Sequence, residues 1–143
     1  MEIDTALEFA RGTNRSVLTT LRGDGKPQLS NVLHNAGEDG LIRVSTTADR
    51  AKYKNVARTP WAAVYVTAAD FQAYAVLEGE VTTSAIAADE HDDAVEELVA
   101  LYRNLLGEHP DWADYRRAMV RDRRVVVRIN PTRAYGILSV PGA

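Results

Sequence analysis

The sequence predicts a small, mostly antiparallel β-barrel with helices at its margins. Three observations predict it. Short segments rich in β-branched and apolar residues follow one another through turn-forming spacers. The segments between them place apolar residues on one side at helical spacing. At 143 residues, 45% hydrophobic and 26% charged, the chain suits one domain over residues 1–143. Such a chain buries a core without disulfides or a structural metal.

The elements follow in order. Asp4 to Arg11 is a helix with Ile3, Ala6, Leu7 and Ala10 on one face, and Gly12-Thr13-Asn14 stops it. Ser16 to Leu21 is β-branched and strand-like. Gly23-Asp24-Gly25-Lys26 is a turn, since glycine accepts positive φ. Pro27 opens a second strand, Gln28 to Asn35, and after the turn Ala36 to Gly40 a third follows, Leu41 to Thr46. These three are expected to form an antiparallel meander. Asp49 to Arg58 is a helix that Thr47 or Asp49 could cap, with Thr59-Pro60 ending it. Trp61 to Thr67 is a strand with so little polarity that both faces are expected to be buried. After Ala68-Ala69-Asp70, a long strand runs from Ala73 to Thr83, and Gly79 marks a bulge or a close approach. Ala88 to Leu106 is the longest helix, with the apolar stripe Ala94, Val95, Leu98, Leu101, Tyr102, Leu105 and an acidic start that complements the helix dipole. Asp111 to Val120 is the last helix, and Arg124 to Ile129 and Pro131 to Leu138 are the last two strands. Seven short strands with marginal helices imply a closed sheet that hides its edges.

Composition narrows function. With no cysteine, the chain has no thiol nucleophile, disulfide, iron–sulfur cluster or cysteine zinc site. A net charge of −3 argues against a nucleic-acid partner. No apolar run approaches the ~20 residues of a membrane span, and the acidic start lacks a signal-peptide n-region. A cytoplasmic location is the expectation. His34, His91 and His109 lack metal-ligand spacing. No P-loop, Gly-x-Gly-x-x-Gly or nucleophile elbow is present.

Two stretches carry chemistry. Ser45-Thr46-Thr47-Ala48-Asp49-Arg50-Ala51-Lys52 leaves a strand through hydroxyls and enters a helix rich in cations. A helix start presents free N–H groups and partial positive charge, which favour anions. Arg50 and Lys52 oppose that dipole, and an anionic ligand would account for them. The competing reading is a solvated helix, with Arg50, Lys54 and Arg58 in one row at i, i+4, i+8. The second stretch is Gln28, Ser30 and Asn31, amides and a hydroxyl suited to hydrogen bonds with a heteroaromatic ring. Its competing reading is the solvated face of an edge strand. Tyr74, after the Phe71 loop, could line a planar cofactor.

These residues resemble a known family. Asp24-Gly25-Lys26-Pro27-Gln28-Leu29-Ser30-Asn31 and the helix Arg50-Ala51-Lys52 through Asn55-Val56, Arg58 and Pro60 look like the split β-barrel flavin/deazaflavin family, also called pyridoxamine 5′-phosphate oxidase-like. A narrower run comprises Ala100 to Asn104, Gly107-Glu108-His109, Asp111-Trp112, Asp114-Tyr115-Arg116 and Arg123-Arg124-Val125. It resembles the actinobacterial branch that uses the deazaflavin coenzyme F420 instead of FMN.

The resemblance implies a homodimer with cofactor grooves between subunits. Arg50 and Lys52 would bind the cofactor phosphate, with Asn55 nearby and Ser45 and Thr46 lining the groove. Gln28, Ser30 and Asn31 would approach the ring and ribityl portion, and Tyr74 would reach the ring from the other subunit. Gln72 departs from the family's pattern, where a tryptophan is expected; Phe71 beside it could substitute. The implied activity is hydride delivery from reduced coenzyme F420 to an electron-poor small-molecule substrate, with the cofactor supplying the chemistry. The alternatives are an FMN-dependent oxidase or reductase on the same fold, or a non-catalytic F420 carrier.

Overall fold

The computed structural model describes residues 1–139; residues 140–143 of the predicted domain lie outside it. The order is α1 (Ile3–Arg11), β1 (Arg15–Leu21), β2 (Pro27–Leu33), β3 (Asn35–Ala36), β4 (Ile42–Thr47), α2 (Ala51–Arg58), β5 (Trp61–Thr67), β6 (Tyr74–Thr83), α3 (Asp93–Leu106), α4 (Trp112–Arg121) and β7 (Arg124–Ile137). The seven strands form one antiparallel sheet in the order β2-β1-β5-β6-β7-β4-β3. It curls into a half-barrel, so that β2 and β4 approach each other without pairing. No helix among the described residues is long and apolar enough to cross a membrane.

The first hairpin forms where the sequence places it. Arg15 pairs with Leu33 and Leu21 with Pro27. The turn closes through Arg22 N–H to Lys26 C=O, with Gly25 at φ +83°. Asp24 accepts the Lys26 N–H at 3.0 Å and the Arg22 guanidinium at 3.0 Å.

The predicted meander forms only in part: β1 pairs with β2, and only the two-residue β3 pairs with the third strand, Asn35 opposite Arg43. Its third strand, β4, pairs with β7, from Ile42 opposite Ile129 to Thr47 opposite Arg124. His34 interrupts the run. Its N–H goes to Asn14 C=O, and its ring sinks between Ser16 Oγ (2.8 Å) and Ala10 C=O (2.9 Å). The predicted strand over Gln28 to Asn35 thus becomes β2 and a two-residue β3. Ile42 and Val44 of β4 then join the same core as Leu18, Val64, Val66, Leu77 and Ile129. Burial of these side chains outweighs proximity along the chain.

The last two predicted strands are one. β7 passes through Pro131 because the β6–β7 register shifts at Glu78/Gly79. Proline lacks the ladder N–H, and the irregularity accommodates it. A Cβ on Gly79 would stand 1.9 Å from Asn130 O, so the backbones touch there. β5 buries Ala62, Ala63, Val64 and Val66 but leaves Trp61 and Tyr65 partly exposed, so only part of it is covered on both faces.

Helix ends shift for reasons of capping. α3 begins at Asp93, because the Asp92 carboxylate accepts the N–H groups of Val95 (2.9 Å), Ala88 (2.9 Å) and Asp89 (3.1 Å). Asp111 caps α4 through the Asp114 N–H at 3.1 Å. A second core lies under these two helices, from Val95, Leu98, Val99, Leu101, Met119 and Val126. α2 is different. It starts at Ala51 with Arg50 in the cap position, and no side chain caps it. Thr47, one predicted cap, donates its hydroxyl to Asp49, the other.

Candidate functional site

A cavity of about 580 Å³ lies in the split between the two approaching strands. Asn31, Val32 and Leu33 of β2 form one side. Ser45, Thr46 and Thr47 of β4 form another, with Arg50 and Lys52 beside them at the start of α2. Arg124, first residue of β7, joins them because it pairs with Thr47. Leu101, Tyr102, Leu105 and Leu106 of α3 close the far wall with Tyr115 and Met119 of α4.

The polar side of this pocket is positive. Arg50, Lys52 and Arg124 form no ion pair among the described residues, while the arginines beyond the pocket carry most of the ion pairs. Among the described residues, Arg124 Nε is buried without a hydrogen-bond partner, and the same guanidinium reaches only Ser45 Oγ, at 3.4 Å. A buried donor left unpaired costs roughly 1–3 kcal/mol, and more when charged. Burial lowers the pKa of Lys52, and the nearby Arg50 and Arg124 charges lower it further. The uncapped start of α2 adds backbone N–H groups and the positive end of the helix dipole. All these terms are relieved by one anion. The residues therefore fit a phosphate-bearing ligand.

The opposite wall is apolar and aromatic. The Tyr115 hydroxyl donates to Leu98 C=O at 2.9 Å. Burial raises its pKa to about 12, so it stays a neutral donor.

Five predicted residues meet here: Asn31, Ser45, Thr46, Arg50 and Lys52. Gln28, Ser30, Asn55 and Tyr74 do not line this cavity. Asn55 is buried and acts as a strut. Its Nδ2 donates to Thr20 Oγ1 (3.0 Å) and Gln28 Oε1 (2.9 Å), and its Oδ1 accepts from Arg58 (2.9 Å). Gln28 and Asn55 thus tie α2 to β1 and β2. Ser30 lies on the more buried side of β2, opposite Asn31. Tyr74 stacks on Tyr65, with ring centroids 5.6 Å apart. Tyr65 lines a neighbouring groove of about 490 Å³ with Arg15, Val17 and Asn31, so the β2 edge separates the two.

Sequence reasoning assigned no role to Arg124 or to the helical wall. Arg124 stands 72 positions beyond Lys52 in the sequence, and only the β4–β7 register joins them. The signal present in the sequence is the run that resembles the F420 branch, which contains Arg124, Leu101, Tyr102 and Tyr115. A further cavity of about 480 Å³ lies beside Arg11 and Asn104. Its arginine is already bonded to Ala36 C=O, Gly37 C=O and Glu8, so it offers no free charge.

The fold and this pocket define a class. Residues 3–138 match the model of the pyridoxamine 5′-phosphate oxidase family, and the chain belongs to that family. Its architecture is the family's split barrel. Among solved structures, a conserved hypothetical protein from Mycobacterium tuberculosis is similar at 20% identity, over 96% of this chain and 85% of that one (TM-score 0.74). An F420 reductase is similar at 22% identity, over 90% and 94% of the two chains (TM-score 0.66). An FMN-binding protein from Nostoc punctiforme is similar at 15% identity, over 95% and 80% (TM-score 0.64).

Proposed function

We propose that this chain is an oxidoreductase that binds reduced coenzyme F420 in the split between β2 and β4 and uses it to reduce an electron-poor small molecule. One observation carries the reading: three cations without carboxylate partners face an aromatic and apolar wall across one cavity. That arrangement suits a ligand with an anionic end and a flat body. The F420 reductase of the same fold is consistent with a deazaflavin as that ligand.

When bound, the reduced deazaflavin supplies the hydride. The chain's own residues bind and orient. Arg124 and Arg50 offer guanidinium donors to the anion, and Lys52 offers a point charge. Each charge-assisted hydrogen bond contributes roughly 1.5–3 kcal/mol. Ser45 and Thr46 bring hydroxyls to the same side. Leu101, Leu105 and Met119 exclude water from the opposite side. This division of labour asks for no protein nucleophile.

The partner is a second copy of this chain. Cross-strand neighbours Asn31, Val17, Tyr65, Val76 and Tyr135 make one row across the outer face of the sheet. Leu29, Leu33, Tyr135 and Ile137 are exposed around it. The exposed apolar side chains along this face suit a second copy of the chain. In this dimer Tyr74 and the groove beside Tyr65 lie at the interface.

An FMN-dependent reductase is the second reading, supported by the FMN-binding relative and by cations that suit either phosphate. Titration of the purified chain with oxidised F420 and with FMN decides, followed by the fluorescence of Trp112, which packs on the pocket residues Tyr102 and Tyr115. Tighter F420 binding, then turnover of an enone or quinone with the reduced cofactor, is the expected result. Preference for FMN moves the chain to the second reading. Tight F420 binding without turnover of any electrophile supports a carrier, and binding of neither overturns both cofactor assignments.

A further inference from the structure

We propose that Tyr102 is a positioning residue whose hydroxyl donates a hydrogen bond to the body of the bound ligand, opposite the cations. The inference rests on the phosphate-bearing ligand of the preceding section. It starts from a motif whose purpose the sequence leaves open. Tyr102, Glu108, His109, Trp112 and Tyr115 all belong to the run that resembles the F420 branch, yet the sequence gives none of them a role.

The structure gathers them around one ring. Tyr102 meets His109 at 5.1 Å, Trp112 at 5.6 Å and Tyr115 at 5.1 Å between centroids, each tilted by 62° or more. These edge-on arrangements are favourable and directional. The surrounding rings are held in turn. Trp112 Nε1 donates to Glu108 at 2.8 Å, Arg103 donates to the same carboxylate at 2.9 Å, and the Arg103 guanidinium lies 4.8 Å from the Trp112 ring centre. His109 Nδ1 accepts the Asp111 N–H at 2.9 Å. Tyr102 is thereby fixed on three sides and left open toward the cavity that it lines.

The two tyrosines of that wall differ in one respect. The Tyr115 hydroxyl is spent on Leu98 C=O. The Tyr102 hydroxyl has no partner among the described residues, and it is not among the buried unpaired atoms, so it is reachable. A rigid phenol with a free donor, set across a pocket from an anion site, fixes the orientation of a ligand held at the far end. A donor ordered before binding loses little entropy when used.

Tyr102→Phe keeps the cage and removes the donor. The test measures melting temperature, F420 and FMN affinity, and competition by inorganic phosphate. The expected result is an unchanged melting temperature and unchanged competition by phosphate, which reaches only the cations. Affinity for the cofactor that the wild type prefers falls about tenfold, the scale of one lost hydrogen bond to a ligand. Trp112→Phe serves as the control, since it loosens the cage and keeps the hydroxyl. Unchanged cofactor affinity in Tyr102→Phe, or a loss no larger than in Trp112→Phe, overturns the assignment while the cofactor reading stands. A wild-type chain that binds neither cofactor overturns both.

Discussion

Single residues in this chain divide into those that face the pocket and those that hold it up, and their charge alone does not tell them apart. Lys52 and Arg58 lie on one short helix, but Lys52 lines the cavity while Arg58 donates to Leu21 C=O at 3.0 Å and to Asn55. Lys52→Ala is expected to weaken cofactor binding about tenfold or more, since a charge-assisted bond exceeds 1.4 kcal/mol. Arg58→Ala is expected to leave binding nearly unchanged and to lower stability by about 1 kcal/mol, the net worth of the bonds it makes. Isothermal titration and urea unfolding of both variants check this pair. Equal losses of affinity would turn the site into a general electrostatic patch. Arg124 belongs with Lys52. Its buried Nε has no partner, so Arg124→Met is expected to weaken cofactor binding without lowering stability.

At the scale of elements, the contrast between helix starts matters most. α3 and α4 begin at carboxylate caps, α1 and α2 begin with none, and of these two only the start of α2 lines the pocket. A cap satisfies the first N–H groups internally, whereas a bare start leaves them to an outside acceptor. Asp92→Ala is expected to destabilise the chain by about 1 kcal/mol, read from the urea midpoint. The pocket wall hangs from α3, so the same variant is also expected to weaken cofactor binding. An unchanged midpoint would mean that Asp92 is dispensable. α3 is also pinned from its middle. Glu97 accepts from Arg43 at 3.0 Å and from Arg128 at 2.6 Å, joining the helix to β4 and β7.

For the whole molecule, a buried histidine and a set of hydrogen-bonded carboxylates, Glu97 the most buried of them, set the response to acid. Burial lowers the pKa of His34. The unfolded chain then binds a proton more readily than the folded one, so stability present above about pH 6.5 is lost as pH falls through the folded-state value. At Glu97 burial acts upward, but the Arg128 and Arg43 hydrogen bonds leave its pKa lowered overall. Its contribution is present above the ordinary carboxylate range and disappears below it. Melting temperature is therefore expected to fall in two stages on acidification, and His34→Gln is expected to flatten the upper stage. A profile level from pH 7 to 5 in the wild type would refute the His34 assignment. Association belongs to this scale too. Tyr135 sits in the outer apolar row. Tyr135→Asp is expected to convert a dimer to a monomer in sedimentation velocity; a wild-type chain that sediments as a monomer refutes the proposed partner.

Much of this molecule is legible without its structure, because much of it is local. The turn at Gly25, the close approach at Gly79 and the stripes of α1 and α3 follow from backbone sterics and from periodicity within a few residues. The anion-seeking start of α2 is equally local, and it led to Arg50 and Lys52. The chain could not announce which distant segments meet. β4 keeps only the two-residue β3 from its neighbourhood in sequence and takes β7 on its other edge, since burial of Ile42 and Val44 and the interruption at His34 decide its place in the sheet. That one pairing brings Arg124 to Lys52, and the packing of α3 and α4 over the second core brings Tyr102 across from them. Asn55 and Gln28 show the same limit from the other side. Their residue types suit a ligand, but their neighbours in space engage them as a strut. Side-chain chemistry and local geometry are properties of the chain. Which groups stay unpaired, and therefore available to a ligand, is settled only when long-range packing has satisfied the rest.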